Sequence, residues 1–142
     1  MPVNIFYNYS AFPTPSQKSL IHLAQYVLQQ QDGEIGQINI IFTDNDEIFS
    51  LNAQYLNHHY YTDVIAFYYS RSGPVEGDIF ISLDKVDENS KTYNSGFENE
   101  LIRVIVHGIL HLIGYTDNTD EEKEGMHRLE DKYIEHYNLN PR

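Results

Sequence analysis

The sequence predicts one α+β domain over residues 1–142, a small mixed sheet of about four strands packed with helices. Two observations predict it. Segments with the two-residue alternation of strands and segments with the helical three-to-four-residue period follow in the order β-α-β-α-β-β-α-α-α. The neighbouring runs TDVIAFYYS and GDIFIS, separated by RSGPVEG, read as antiparallel partners because Gly73 and Pro74 favour a chain reversal. Helices laid on a small sheet bury the apolar side of both layers in one core.

Every element but the first of the last three helices has a signal of its own. NIFYNY alternates like a short strand. TPSQKSLIHLAQYVLQQQ reads as a helix with Thr14 as N-cap, Pro15 at the first helical position and Gln17 closing a capping box. Its Leu20, Ala24, Val27 and Leu28 fall on one face. QINIIF, after Gly36, is rich in β-branched residues and reads as a strand. Asp44 with Glu47 then caps a helix whose expected buried stripe is Ile48, Leu51 and Tyr55. Ser95 with Glu98 is the expected capping box of FENELIRVIVHGILHLI, which Gly114 stops by adopting a left-handed turn. Thr119 and Glu122 cap a last, strongly charged helix, TDEEKEGMHRLEDKYIEHY.

Composition narrows the function classes. An apolar share of 41% with 13% aromatics suits a globular chain. The most apolar run, LIRVIVHGILHLIG, is broken by Arg103 and two histidines and is shorter than the ~20 residues of a membrane span. The start, MPVNIFYNYS, lacks the basic head and apolar stretch of an export signal, so the expected location is cytoplasmic. Without cysteine, any metal must be held by nitrogen and oxygen. A net charge of −12 weighs against non-specific nucleic-acid binding, which draws on basic residues. It leaves room for RNA at a cleft made locally positive by side chains or a metal ion.

The segment HGILHLIGYTD carries the chemistry. His107 and His111 are four residues apart, so a helix points both imidazoles the same way. Both can then meet one cation about 2.0–2.1 Å from each nitrogen. Gly114 lets the chain turn back, which would bring Asp117 in as a third ligand. Three protein ligands with a fourth position open to water is the pattern of a catalytic zinc site at the end of a central helix. Such a 2-His-1-carboxylate set also holds iron in some oxygenases, but histidines four apart on one helix favour a single Zn2+. A buried histidine pair that only satisfies backbone carbonyls is the plainer alternative.

HGILHLIGYTD, with Glu122 and Met126 downstream, resembles the HGxLHLxGYDHxxxxExxxM signature of the YbeY family. LNAQYLNHHYYTDVIAF is similar to that family's LNxxYRxxxxxTDVLSF, and EGDIFIS to its LGDIxIS strand. The three segments keep the family's order and span the chain from about Leu51 to its end. The resemblance implies a zinc-dependent endoribonuclease fold, with His107, His111 and the residue at 117 binding the metal. It further implies ribosomal RNA and the small ribosomal subunit as partners, in rRNA maturation and ribosome quality control.

Two positions depart from the pattern. Asp117 stands where the family has histidine, and Leu56 where it has the arginine of the YR pair. Zinc with two imidazoles and one carboxylate keeps about +1 formal charge, against +2 with three imidazoles, so its bound water should be less acidic. Leucine cannot clamp a phosphate. Positive charge would then come from His58, His59, Arg71 or Lys85, and a metal-stabilised ribosome-associated factor without nuclease activity is the rival reading. A metalloprotease is a third, disfavoured because Gly108 replaces the glutamate base of HExxH sites; Gly108 reads instead as a close-packing position. Asp63 and Asp78 read either as carboxylates orienting the imidazoles or as turn residues. Glu121 and Glu122 read as a favourable first helical turn, with a catalytic base as the alternative. Tyr60, Tyr61, Tyr68 and Tyr69 read as sheet packing ahead of base stacking.

Overall fold

The computed structural model describes residues 2–57, 62–70 and 73–140. The elements are β1 (Val3–Tyr7), α1 (Gln17–Gln30), β2 (Ile35–Thr43), α2 (Asn45–Leu56), β3 (Val64–Ser70), β4 (Val75–Ser82), α3 (Leu83–Thr92), α4 (Phe97–Leu112) and α5 (Asp120–Leu139). This is the expected order, and the sheet has four strands. The spatial order is β1-β2-β4-β3, with β1 and β4 parallel to β2 and β3 antiparallel to β4. The hairpin expected from TDVIAFYYS and GDIFIS is therefore present, with Ile65 opposite Phe80 and Phe67 opposite Asp78.

Caps explain where the helices begin. Asp44 accepts the Glu47 N–H at 2.8 Å, and Thr119 with Glu122 forms the complete reciprocal box. Two other expected caps differ. On α1 the cap is Ser16, whose hydroxyl accepts from the Ser19 N–H at 3.1 Å, so Thr14 and Pro15 lie outside the helix. On α4 the cap is Gly96 at φ +83°, and Ser95 instead donates its hydroxyl to Glu100. Glycine takes that backbone angle freely, so no capping side chain sits there. In α2, Ile48 is buried as expected, but Asn52 fills the stripe in place of Tyr55, which stays exposed.

The core lies between the sheet and the helices α1, α4 and α5, with Leu20, Ile38, Ile79, Leu101 and Ile105 wholly buried. Each such aliphatic side chain removed from water contributes about 1.5–3 kcal/mol. Helix α4 runs through the middle of this layer and touches α1, α3, α5, β3 and β4. Gly108 is what lets it lie so near the sheet. A Cβ there would stand 2.7 Å from Ile79 Cγ2 and 3.1 Å from Val64 Cγ2. The expected packing role of Gly108 is borne out by that clearance.

Alanine at 108 gains about 1 kcal/mol of helix propensity. Overpacking against buried Ile79 and half-buried Val64 costs about 1–3 kcal/mol. Gly108→Ala is therefore expected to lower stability by about 1 kcal/mol in a denaturant melt, against the propensity trend; a variant more stable than the parent would show that α4 has room to spare.

Candidate metal centre

The last two turns of α4 place His107 and His111 side by side, with ring centroids 4.5 Å apart. The helix ends in a left-handed turn at Gly114, φ +108°. There the Gly114 N–H reaches the His111 carbonyl and the Tyr115 N–H the Leu110 carbonyl. This pair of bonds is a Schellman closure, which requires the positive φ that glycine supplies. It folds the Tyr115 carbonyl back beneath His111, whose Nδ1 donates to it at 3.0 Å.

Asp117 follows in a short loop bound from the other end. Glu122 accepts from the Thr116 hydroxyl at 2.8 Å and from the N–H groups of Asn118 and Thr119. These hydrogen bonds to Thr116 and Thr119 hold its carboxyl below the usual range. With both oxygens engaged in the loop, Glu122 anchors the turn that carries Asp117, which favours the helix-cap reading of this residue over that of a base.

The three side chains converge. His107 Nε2 and His111 Nε2 are 2.9 Å apart, and the Asp117 oxygens lie 3.4 Å and 3.6 Å from them. Donor atoms around a tetrahedral cation at about 2.05 Å are separated by roughly 3.3 Å, so these spacings bracket such a site. The hydrogen bonding points the same way. The Tyr115 carbonyl can only accept, so His111 Nδ1 carries a proton and its Nε2 presents a lone pair. His107 Nδ1 faces a carboxylate oxygen of Glu130 at 2.6 Å, so it too carries its proton outward. Two lone pairs pointed at each other across 2.9 Å repel unless a cation or a proton lies between them.

Glu130 is the functional residue that sequence reasoning missed. It is almost wholly buried, on α5, and also takes Arg103 Nη1 at 2.9 Å, while Arg103 Nη2 reaches Asp131 at 2.6 Å. The signal was available, because Met126 and Glu130 lie four apart on one face of α5; its target on α4 was not. Burial disfavours charge on His107, but the Glu130 hydrogen bond and the charges of Glu130 and Asp117 outweigh it and raise the imidazole's pKa. Burial, then the neighbouring His107, lowers that of His111.

The other expected residues separate. Asp63 lines the same cavity of about 240 Å³ as His107, Asp117 and Glu130, and burial raises its carboxyl pKa. Its side chain accepts from Asn89, so Glu130, and not Asp63, orients the imidazole. Asp78 lies on the opposite face of the sheet, bonded to Asn39 and Tyr69. Tyr68 and Tyr69 are exposed instead of packed, and the bond to Asp78 pushes the Tyr69 hydroxyl up to about 12. Leu56 does not line the cavity, and Lys85 pairs with Glu88 at 3.1 Å. His58, His59, Tyr60, Tyr61 and Arg71 lie outside the described residues.

Residues 8–138 match the family model described as Endoribonuclease YbeY. The chain belongs to the YbeY family. It is 39% identical to the Endoribonuclease YbeY of Chlorobaculum parvum over 95% of this chain and 94% of that one. The corresponding protein of Flavobacterium johnsoniae is 38% identical over 92% and 94%. The solution structure of TM1509 from Thermotoga maritima superposes with a TM-score of 0.66 at 29% identity, covering 95% of this chain and 88% of that one. The YbeY-like fold expected from the sequence is thus shown. No helix among the described residues is long and apolar enough to cross a membrane.

Removing the Glu130 charge is expected to have two separable effects on the binding of a divalent cation, read with zinc as the probe, because Glu130 bonds His107 Nδ1. Glu130→Gln is expected to weaken affinity at alkaline pH about 10–100-fold. It also loosens the competing proton on His107, so the pH at which affinity begins to fall with acid moves lower. Competition titration with a chromophoric chelator across pH reads both; a bend that stays in place would separate Glu130 from the imidazole's proton.

Proposed function

We propose that this YbeY-family chain is a zinc-dependent endoribonuclease acting in the maturation of small-subunit ribosomal RNA and in ribosome quality control. The observation that carries the reading is the meeting of His107 Nε2, His111 Nε2 and the Asp117 carboxylate at one point, at the edge of a cavity that His107 and Asp117 line. The relatives named Endoribonuclease YbeY support the reaction class. We read the three side chains as ligands to one Zn2+.

A zinc ion held by His107, His111 and Asp117 would supply Lewis acidity toward a phosphodiester and toward water. The protein's own residues do the rest. Glu130 and the Tyr115 carbonyl hold the Nδ1 protons outward, keeping both Nε2 atoms as donors. The capped loop from Thr116 to Thr119 keeps Asp117 within reach. Peptide hydrolysis on the HExxH plan gains no support, because the space beyond Gly108 is filled by Ile79 and Val64. The rival reading, a ribosome-associated factor stabilised by metal but without nuclease activity, is favoured by Leu56 alone.

Tag-free protein is expected to carry about one zinc per chain by elemental analysis, and His107→Ala to carry almost none. Single-turnover cleavage of a structured rRNA fragment should stop with chelator and with His111→Ala; cleavage that survives both marks a contaminating nuclease. Zinc bound without any cleavage selects the non-catalytic reading.

Asp117→His raises the formal charge of the loaded site by one. The rising limb of the cleavage–pH profile should move to lower pH, with an unchanged profile counting against water activation at this site.

A further inference from the structure

The walls of the metal-site cavity come mainly from two helices. Helix α4 contributes Glu100, Arg103, Val104 and His107; α5 contributes Lys123, Met126, His127 and Glu130. The α5 set falls at i, i+3, i+4 and i+7, one continuous face turned to the cavity. Four carboxyl groups, Asp63, Glu100, Asp117 and Glu130, face a phosphodiester that would enter there. The chain is strongly acidic as a whole, so repulsion has to be answered locally.

Of the nine Lys and Arg residues, Arg103 and Lys123 are the two that line this cavity among the described residues. Arg103 is committed: it bridges Glu130 and Asp131 at 2.9 Å and 2.6 Å. His127 leans on the same two carboxylates. Lys85, Lys91 and Arg128 each pair with a carboxylate elsewhere. Lys123 stands in the cavity wall beside the Asp117 loop, with no carboxylate within ion-pair distance among the described residues. Its ammonium is the cavity's uncommitted cation.

We propose that Lys123 is a substrate-binding residue that contacts a non-bridging phosphate oxygen of the RNA strand entering the metal site. The inference rests on the endoribonuclease reading and extends it by naming the residue that offsets the cavity's acidity. A lysine suits the task as a point charge on a flexible stem, able to follow a phosphate without a fixed fork of donors. Leu56, outside the cavity, leaves this work undone.

The test uses full-length, zinc-loaded protein and a fluorescent single-stranded rRNA fragment, with anisotropy measured over a salt series and cleavage measured in parallel. Lys123→Ala is expected to weaken binding about tenfold near 0.1 M salt. It should also flatten the log–log salt slope by about 0.7 to 1. KM for cleavage should rise by a similar factor with kcat little changed, since the contact exists before the reaction as well as during it. Lys123→Arg should restore most of the affinity. Lys18→Ala, which removes a lysine from α1 outside the cavity, should match the parent. Zinc content must stay at the parent's level in all variants. If the parent binds and cleaves while Lys123→Ala keeps its affinity and slope, the assignment of Lys123 fails alone. If the zinc-loaded parent neither binds nor cleaves RNA, the endoribonuclease reading fails and takes the assignment with it.

Discussion

Glu130 accepts the Nδ1 proton of His107 at 2.6 Å from an almost wholly buried position, and much of the structure follows from that contact. A buried carboxylate is costly unless its oxygens are paired, and this one is paired twice, with His107 and with Arg103. The two bonds tie α5 to α4 along their shared face. They also decide which nitrogen of His107 is available. With Nδ1 turned to Glu130, Nε2 faces its counterpart on His111, and the repulsion of two lone pairs becomes an affinity for a cation. Orientation of a ligand and docking of a helix are the same event here.

Asp117 reaches the imidazoles by a different route. The Schellman closure at Gly114 ends α4 and the capping box of Thr119 and Glu122 begins α5, leaving a loop too short to wander. Glu122 serves both sides of that loop, capping the helix and receiving the Thr116 hydroxyl. Backbone hydrogen bonds are local and strongly directional, so they set the loop's path without help from the core. The third donor is thereby placed by turn chemistry, whereas the first two are placed by helix packing.

Charge sets the terms for the substrate. An acidic chain cannot draw RNA by its overall field, and the metal-site cavity is itself rich in carboxyls. A cation held at the convergence point, with Lys123 beside it, would concentrate positive charge where a phosphate would bind. Such an arrangement trades general affinity for a contact confined to the reacting region.

The sequence by itself determined the elements and the donor set. Strand alternation, helical periodicity and the spacing of His107, His111, Gly114 and Asp117 all act through neighbours within a few residues, so the chain order alone exposes them. The same locality made Asp44 and Thr119 legible as caps, although at α1 and α4 the choice among adjacent Thr14, Ser16, Ser95 and Gly96 turned on backbone angles that composition does not reveal. Tertiary structure alone decided what lies across space: that Glu130 and not Asp63 orients His107, that Asp78 belongs to the far face of the sheet, and that Arg103 is already neutralised while Lys123 is not. Those outcomes depend on how α4 and α5 lie against one another, a geometry set by summed packing of the core and absent from any local window of the chain.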